Sequence, residues 1–139
     1  MTLFELATLL DVTHNAALMP ATGRTLCNAY ASVFCAARGA RLPPLLANEQ
    51  LTFLQASPEW ARIGRGEAVT RANAHELVVA AVAAVPHGHI APVVESPDGD
   101  PMGCYVTAAG ARNYVRCTVE TSFGPMFPVY FVHQGATNG

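Results

Sequence analysis

Leu77-Val78-Val79-Ala80-Ala81-Val82-Ala83-Ala84-Val85-Pro86-His87-Gly88-His89-Ile90-Ala91-Pro92-Val93-Val94-Glu95 is the stretch that decides the fold. It opens on an unbroken apolar run, Leu77 to Val85, about half the length a membrane span needs. The run is β-branched and alanine-rich, which predicts a buried strand. Pro86-His87-Gly88 supplies a turn, and His89 to Glu95 reads as a second strand returning beside the first. Gly103 to Thr107 and Val129 to His133 read as further strands, with Ser96 to Pro101 turning the chain before the first of these. Tyr114 to Val119 fits a strand or a helix equally.

Upstream the period changes. Leu3, Leu6, Leu9 and Leu10 place an amphipathic helix within Met1 to Asn15, and Pro20 to Thr25 is a loop. In Leu26 to Arg38, Tyr30, Val33, Phe34 and Ala37 recur at helical spacing until Gly39 stops the element. Leu42-Pro43-Pro44 is extended, because a residue before proline avoids the α region. Asn48 is placed to cap a short helix carrying Leu51, Phe53 and Leu54. Ser57-Pro58-Glu59-Trp60 predicts another helix start, and Glu67 to Ala74 a further short helix. Helices first and an antiparallel meander after them define an α+β layout.

The 139 residues suit one domain, residues 1–139, able to bury a core without metal or disulfide support. Only 13% of residues are charged, against roughly 25% in ordinary soluble domains, so the surface is quiet. All eight basic residues are Arg. The absence of lysine excludes a Walker-type phosphate loop and a Schiff-base mechanism. A net charge of −2 gives no electrostatic reason to bind nucleic acid. No basic leader precedes the first helix, so the expectation is synthesis in the cytoplasm without a signal peptide and no membrane insertion. Cys27, Cys35, Cys104 and Cys117 match no structural zinc spacing. At most one bridge is expected, among Cys35, Cys104 and Cys117.

Cys27 stands one residue into a predicted helix, after a glycine-containing loop. There the unpaired N–H groups and the positive end of the helix dipole favour thiolate over thiol. Its structural reading is a small buried hydrophobe under the loop. His89 opens a strand directly after Gly88, and its structural reading is a core histidine. A cysteine at a helix start followed by a histidine at a strand start is the order of papain-like thiol hydrolases, in which the two side chains persist as thiolate and imidazolium. His87 and His89 with Cys27 would make a three-ligand zinc set, but no acidic residue completes the pattern of a zinc hydrolase. Asp98-Gly99-Asp100 lacks the downstream ligands of a calcium loop and reads as a turn.

Gly23-Arg24-Thr25-Leu26-Cys27-Asn28-Ala29-Tyr30, Arg41-Leu42-Pro43, Ala47-Asn48-Glu49-Gln50 and Gly88-His89-Ile90-Ala91-Pro92-Val93-Val94 together resemble the NlpC-type cell-wall cysteine peptidases. They are most like the small amidase effectors of type VI secretion and related phage lysins and CHAP amidases, over residues 23–133. The resemblance implies a papain-like fold with the nucleophile at a helix N-terminus packed on an antiparallel sheet. It implies Cys27 as nucleophile, His89 as base and then acid, and no cofactor or metal. The implied reaction is hydrolysis of a peptidoglycan peptide-stem amide, often γ-D-glutamyl–meso-diaminopimelate, with the Cys27 N–H helping to hold the oxyanion. The site of action would be the periplasm or wall, after delivery by a secretion machine or a phage, with an immunity protein as partner of an effector.

The residue that orients His89 is less direct. Glu95 lies about 20 Å along the same strand, at ~3.3 Å per residue. If the next turn centres on Asp98-Gly99, Tyr105 and Thr107 fall opposite His89, with Asn113 available to a shifted strand. Asn28, Arg24 and His87 are candidate substrate contacts, Arg24 through a stem carboxylate. A competing reading is a catalytically silent module of the same fold, such as a phage tail component.

Overall fold

A computed structural model describes residues 1–19 and 26–135. The predicted loop Pro20 to Thr25, Arg24 included, lies outside the described residues. Helix α1 spans Leu3–Leu10, where Thr2 caps the start by accepting the Glu5 N–H and Glu5 reciprocates on the Thr2 N–H. The same end is held from across the molecule. Glu95 accepts the N–H of Leu3 on Oε2 at 2.9 Å and that of Phe4 on Oε1 at 2.7 Å, and His75 Nδ1 lies 2.7 Å from the same Oε2.

Helices α2 (Cys27–Ala37) and α3 (Ala47–Ala56) follow. The predicted stripe on α2 is only partly the buried one: Tyr30 and Phe34 are buried, but Val33 is 45% exposed. Gly39, at a φ of +77°, ends the element in the left-handed region. Gln50 of α3 is fully buried, and its Nε2 donates to the carbonyls of Asn28 and Pro43 and to Ser32 Oγ. One side chain thereby joins α2, α3 and the proline linker.

Ser57 to Trp60 does not begin a helix. The Ser57 N–H closes α3 on the Phe53 carbonyl, and Trp60 begins strand β1, Trp60–Ile63. Pairing with the last strand of the chain overrides the local capping signal, setting Trp60 opposite His133. Helix α4 is Arg65–Asn73. Then come β2 (Val78–Val82), β3 (His89–Val94), β4 (Tyr105–Ala108), β5 (Tyr114–Thr118), the short helix α5 (Val119–Phe123) and β6 (Val129–His133). The ambiguous stretch is thus strand to Thr118, whose hydroxyl caps α5 by accepting the Thr121 N–H.

The six strands form one antiparallel sheet in the order β1-β6-β2-β3-β4-β5. The central strand β2 is buried from Val78 to Ala81, with β6 on one side and β3 on the other. The chain is therefore α+β, as its pattern predicts. Strand alternation sorts the two faces. Thr107 meets Tyr30 of α2, and the registers place Tyr105, Val94 and Ile90 on that same face with α1, α2 and α3. His89 belongs to the opposite face, where its ring packs on Phe123 of α5. All four cysteines are free.

Burial pushes the Glu95 carboxyl up, but hydrogen bonds from His75, Leu3 and Phe4 outweigh it and hold it below its ordinary value. A lowered folded-state pKa contributes stability that is present above the unfolded value and lost as pH falls through the folded one. Glu95→Gln is expected to destabilise the protein by about 1–2 kcal/mol at about pH 7, and urea denaturation should show the difference shrinking as pH falls below the ordinary carboxylate range.

Candidate active site

Cys27 is the first residue of α2, preceded by Leu26 with no side-chain cap. The first amides of the helix are therefore left to the thiol and its surroundings. Cys27 is 5% exposed, and it lies against the N–H of Ile90, the second residue of β3. Burial raises the thiol pKa, and the backbone N–H groups of Ile90, Asn28 and Cys27 only moderate that rise. The N–H groups around the thiol therefore do not offset the cost of desolvating a thiolate.

His89 begins β3. Its Nε2 is 2.8 Å from Ser122 Oγ, and its ring meets Phe123 edge-on at 4.6 Å. Burial lowers its pKa to about 4, with no carboxylate beside it to offset the desolvation. Ser122 is the residue that sequence reasoning missed. Its position follows from α5, whose signals were the Thr118 cap three residues before Thr121 and the stop at Gly124. A hydroxyl can donate to or accept from the imidazole, so it fixes the ring without charging it.

Thiol and imidazole therefore meet at the start of β3 but on its two sides. Among the described residues neither makes a hydrogen bond to the other; Cys27 faces a peptide N–H and His89 faces Ser122. Two openings flank the segment. A cavity of about 330 Å³ exposes Cys27 beside Asn28, Asn48, His87 and Gly88, and one of about 360 Å³ exposes His89 and Ser122. The resting pair is a neutral thiol and a neutral imidazole at neutral pH, in place of the thiolate–imidazolium pair expected from the order of residues.

Asn48 lines the thiol cavity. It does not cap α3, whose first residue is Ala47; its Nδ2 donates to the Ala84 carbonyl and its Oδ1 accepts the Ala84 N–H. This clamps the β2–β3 connection onto α3. A Cβ at Gly88 would overlap Asn48 Oδ1 and the Val82 carbonyl, which is why glycine precedes His89. His87 lies on the exposed turn at the rim of the thiol cavity. Asn28 also lines that cavity, although its Nδ2 donates to the Leu45 carbonyl.

Tyr105 and Thr107 do not reach His89. Thr107 is fully buried on the α2 face, bonded to the Tyr30 hydroxyl at 2.6 Å and the Tyr114 carbonyl at 3.3 Å. Tyr105 lies opposite Val94 and shares that face. The β3–β4 pairing is centred on Gly99-Asp100, one residue later than Asp98-Gly99, so the register carried on from Val93 and Val106 brings Gly110 to His89, with a Cβ there 3.4 Å from its Cε1. Asn113 is engaged by the Gly110 N–H and the carbonyls of Val12 and Leu18. Glu95 serves the start of α1. Among the described residues no three His, Cys, Asp or Glu side chains converge to hold a metal ion, and no helix is long and apolar enough to cross a membrane.

No protein-family model and no curated protein matches the chain. Nitrogen NMR of His89 is expected to give a titration midpoint near pH 4. Iodoacetamide should alkylate Cys27 at a rate that climbs with pH through neutrality into the alkaline range. A reactivity plateau reaching down to acid pH would show an ion pair and contradict the neutral resting state.

Proposed function

We propose that the chain is a papain-like cysteine amidase of the NlpC type that hydrolyses an amide bond in the peptide stem of peptidoglycan. One observation carries the chemistry: the thiol at the first residue of α2 abuts the peptide that joins Ile90 to His89, whose ring Ser122 holds. The substrate class comes from the resemblance of the Cys27, Leu42-Pro43, Ala47-Asn48 and Gly88-His89 segments to that family.

In the proposed reaction the Cys27 proton passes to His89 through a water at the start of β3, since the two side chains lie on its opposite sides, as Sγ bonds to the substrate carbonyl carbon. A neutral base with a pKa of about 4 is weak, so proton transfer must run together with the attack. The carbonyl electrons move to oxygen, where the Cys27 N–H at the helix start stabilises them. Collapse breaks the C–N bond, and His89 returns the proton to the departing amine. Water then attacks the thioester, His89 accepts its proton, and the thiol leaves reprotonated. Ser122 is a positioning residue in this scheme. Asn28 and His87 line the mouth on the acyl side, and Arg24 is offered as a further contact with a stem carboxylate. The reaction needs no cofactor. The wall is reached by injection or lysis, and an effector's immunity protein would occupy the thiol cavity.

A second reading, a catalytically silent binding module, is favoured by the Cys27 thiol facing the Ile90 N–H in place of the His89 ring. Digestion of purified sacculi under reducing conditions separates the two. Mass spectrometry of the muropeptides should show stems cut at one amide, with the γ-D-glutamyl–meso-diaminopimelate bond expected. Cys27→Ala should abolish cleavage, and His89→Ala should lower it by about 10²–10⁴-fold. Ser122→Ala should lower kcat by about tenfold, KM unchanged, and alter the His89 nitrogen shifts. Intact stems with the wild-type protein would leave the silent module standing.

A further inference from the structure

His89 lies on the side of β3 away from Cys27, and there it touches another nucleophile directly. Its Nε2 is 2.8 Å from Ser122 Oγ, within the reach at which an imidazole can take a hydroxyl proton. The ring is held from two sides: Phe123 packs edge-on at 4.6 Å, and Gly110 stands beside Cε1, where a Cβ would come to 3.4 Å. Ser122 and His89 are both half-buried and both line the cavity of about 360 Å³, so the pair is open to a ligand from solvent. The two neighbouring hydroxyls differ. Thr121 Oγ1 is engaged by Thr118 Oγ1 at 2.8 Å, whereas among the described residues Ser122 Oγ bonds to the imidazole alone. His89 Nδ1 has no protein partner among them. With Ser122 as donor, Nε2 is the acceptor and Nδ1 carries the ring hydrogen, which is the tautomer a general base needs.

We propose that Ser122 and His89 form a second nucleophilic site, separate from Cys27, that hydrolyses small esters with a good leaving group. This goes beyond the amidase reading and stands without it. Ser122 Oγ bonds to the ester carbonyl carbon as its proton moves to His89 Nε2, and the carbonyl electron pair moves to oxygen. Collapse re-forms the carbonyl and breaks the bond to the leaving oxygen, which takes the proton from His89. Water then attacks the acyl-serine, His89 accepts its proton, and Ser122 Oγ leaves reprotonated. Arg112, the one cation lining the cavity, makes no ion pair among the described residues and is available to the developing oxyanion. No Asp or Glu lines the cavity to brace the imidazole. With its pKa lowered to about 4 by burial, His89 is a weak base, and a weak base favours a leaving group that departs readily, such as an aryl alcohol, over an amine. The cavity is at the small end of the roughly 300–1,000 Å³ of ligand sites, which suits a short acyl chain.

The test treats the full wild-type chain with 4-nitrophenyl acetate or with an alkyl fluorophosphonate and locates the adduct by peptide mass spectrometry. The ester should leave an acetyl group on Ser122 with a burst of 4-nitrophenolate. The fluorophosphonate should lose fluoride and leave its phosphonyl group on the same oxygen. The rate of labelling at Ser122 should rise through about pH 4 as His89 loses its proton and then hold level across neutrality; Arg112 and Tyr114 are the other titratable groups lining the cavity. His89→Gln should slow labelling by about 10²-fold and remove the plateau. A serine that only holds the ring would react at a rate climbing with hydroxide and without a plateau, which the wild-type profile reads even where the variant fails to fold. That profile, an adduct confined to Cys27, or labelling at Ser122 unchanged in folded His89→Gln would overturn the proposal. Digestion of sacculi reads the thiol chemistry separately, so either reading can fail while the other stands.

Discussion

The antiparallel pairing of β2 with β3, in the register that sets Val82 opposite His89, is the constraint on which the remaining structure depends. β2 is the middle of the sheet, paired on both edges and covered on both faces, so its backbone polar groups are satisfied only by its neighbours. Ala80, Ala81 and Ala91 are fully buried at its centre, and their small side chains leave room for helices to lie close on either side. A shift of one residue would exchange the two faces of β3. Ile90 would leave α2, His89 would leave α5, and the thiol would lose the peptide N–H it rests on. The position of each candidate catalytic group is thus a consequence of sheet register.

Scarcity of charge shapes the site as well as the surface. Carboxylates capable of orienting an imidazole are present in the chain, but the structure commits them elsewhere: Glu95 to the first amides of α1, Glu120 to Arg65, and Glu67 and Glu76 to Arg71. His89 is left with a neutral partner, and desolvation then decides its protonation. The same holds for Cys27, where three backbone N–H groups oppose burial and do not overcome it. Thiol and imidazole are thus both uncharged in the resting protein, which avoids the cost of burying an ion pair.

Most elements were legible because their signals were periodic. The β2–β3 run, the Leu-rich first helix and Tyr30/Phe34 on α2 carry patterns that tertiary contacts reinforce. Two readings failed for identifiable reasons. Ser57-Pro58 has the chemistry of a helix start, yet the edge of β6 captured Trp60 in a strand, a contact between residues far apart in sequence. The third residue at the site was sought on β4 because a strand pair with a tight turn would put Thr107 there. The pairing is centred one residue later, on Gly99-Asp100, so the residue facing His89 on that side is a glycine and the hydroxyl comes from α5. Both Cys27 and His89 were visible from the order of elements. Their facing opposite sides of one strand was not, since that needs the register of β3 against both neighbours.

Gly88 is where these constraints meet. The peptide leaving β2 must pass under Asn48, which grips Ala84 through both ends of its amide, and must then deliver His89 to the face away from α2. Any side chain at 88 would collide with that clamp and with the Val82 carbonyl, so the segment between the two cavities is bare backbone. The glycine that folding requires at this point thus stands on the rim of the cavity that holds Cys27, one residue before the histidine that lines the other. A side chain here would displace the Asn48 clamp and, with it, the strand start that carries His89.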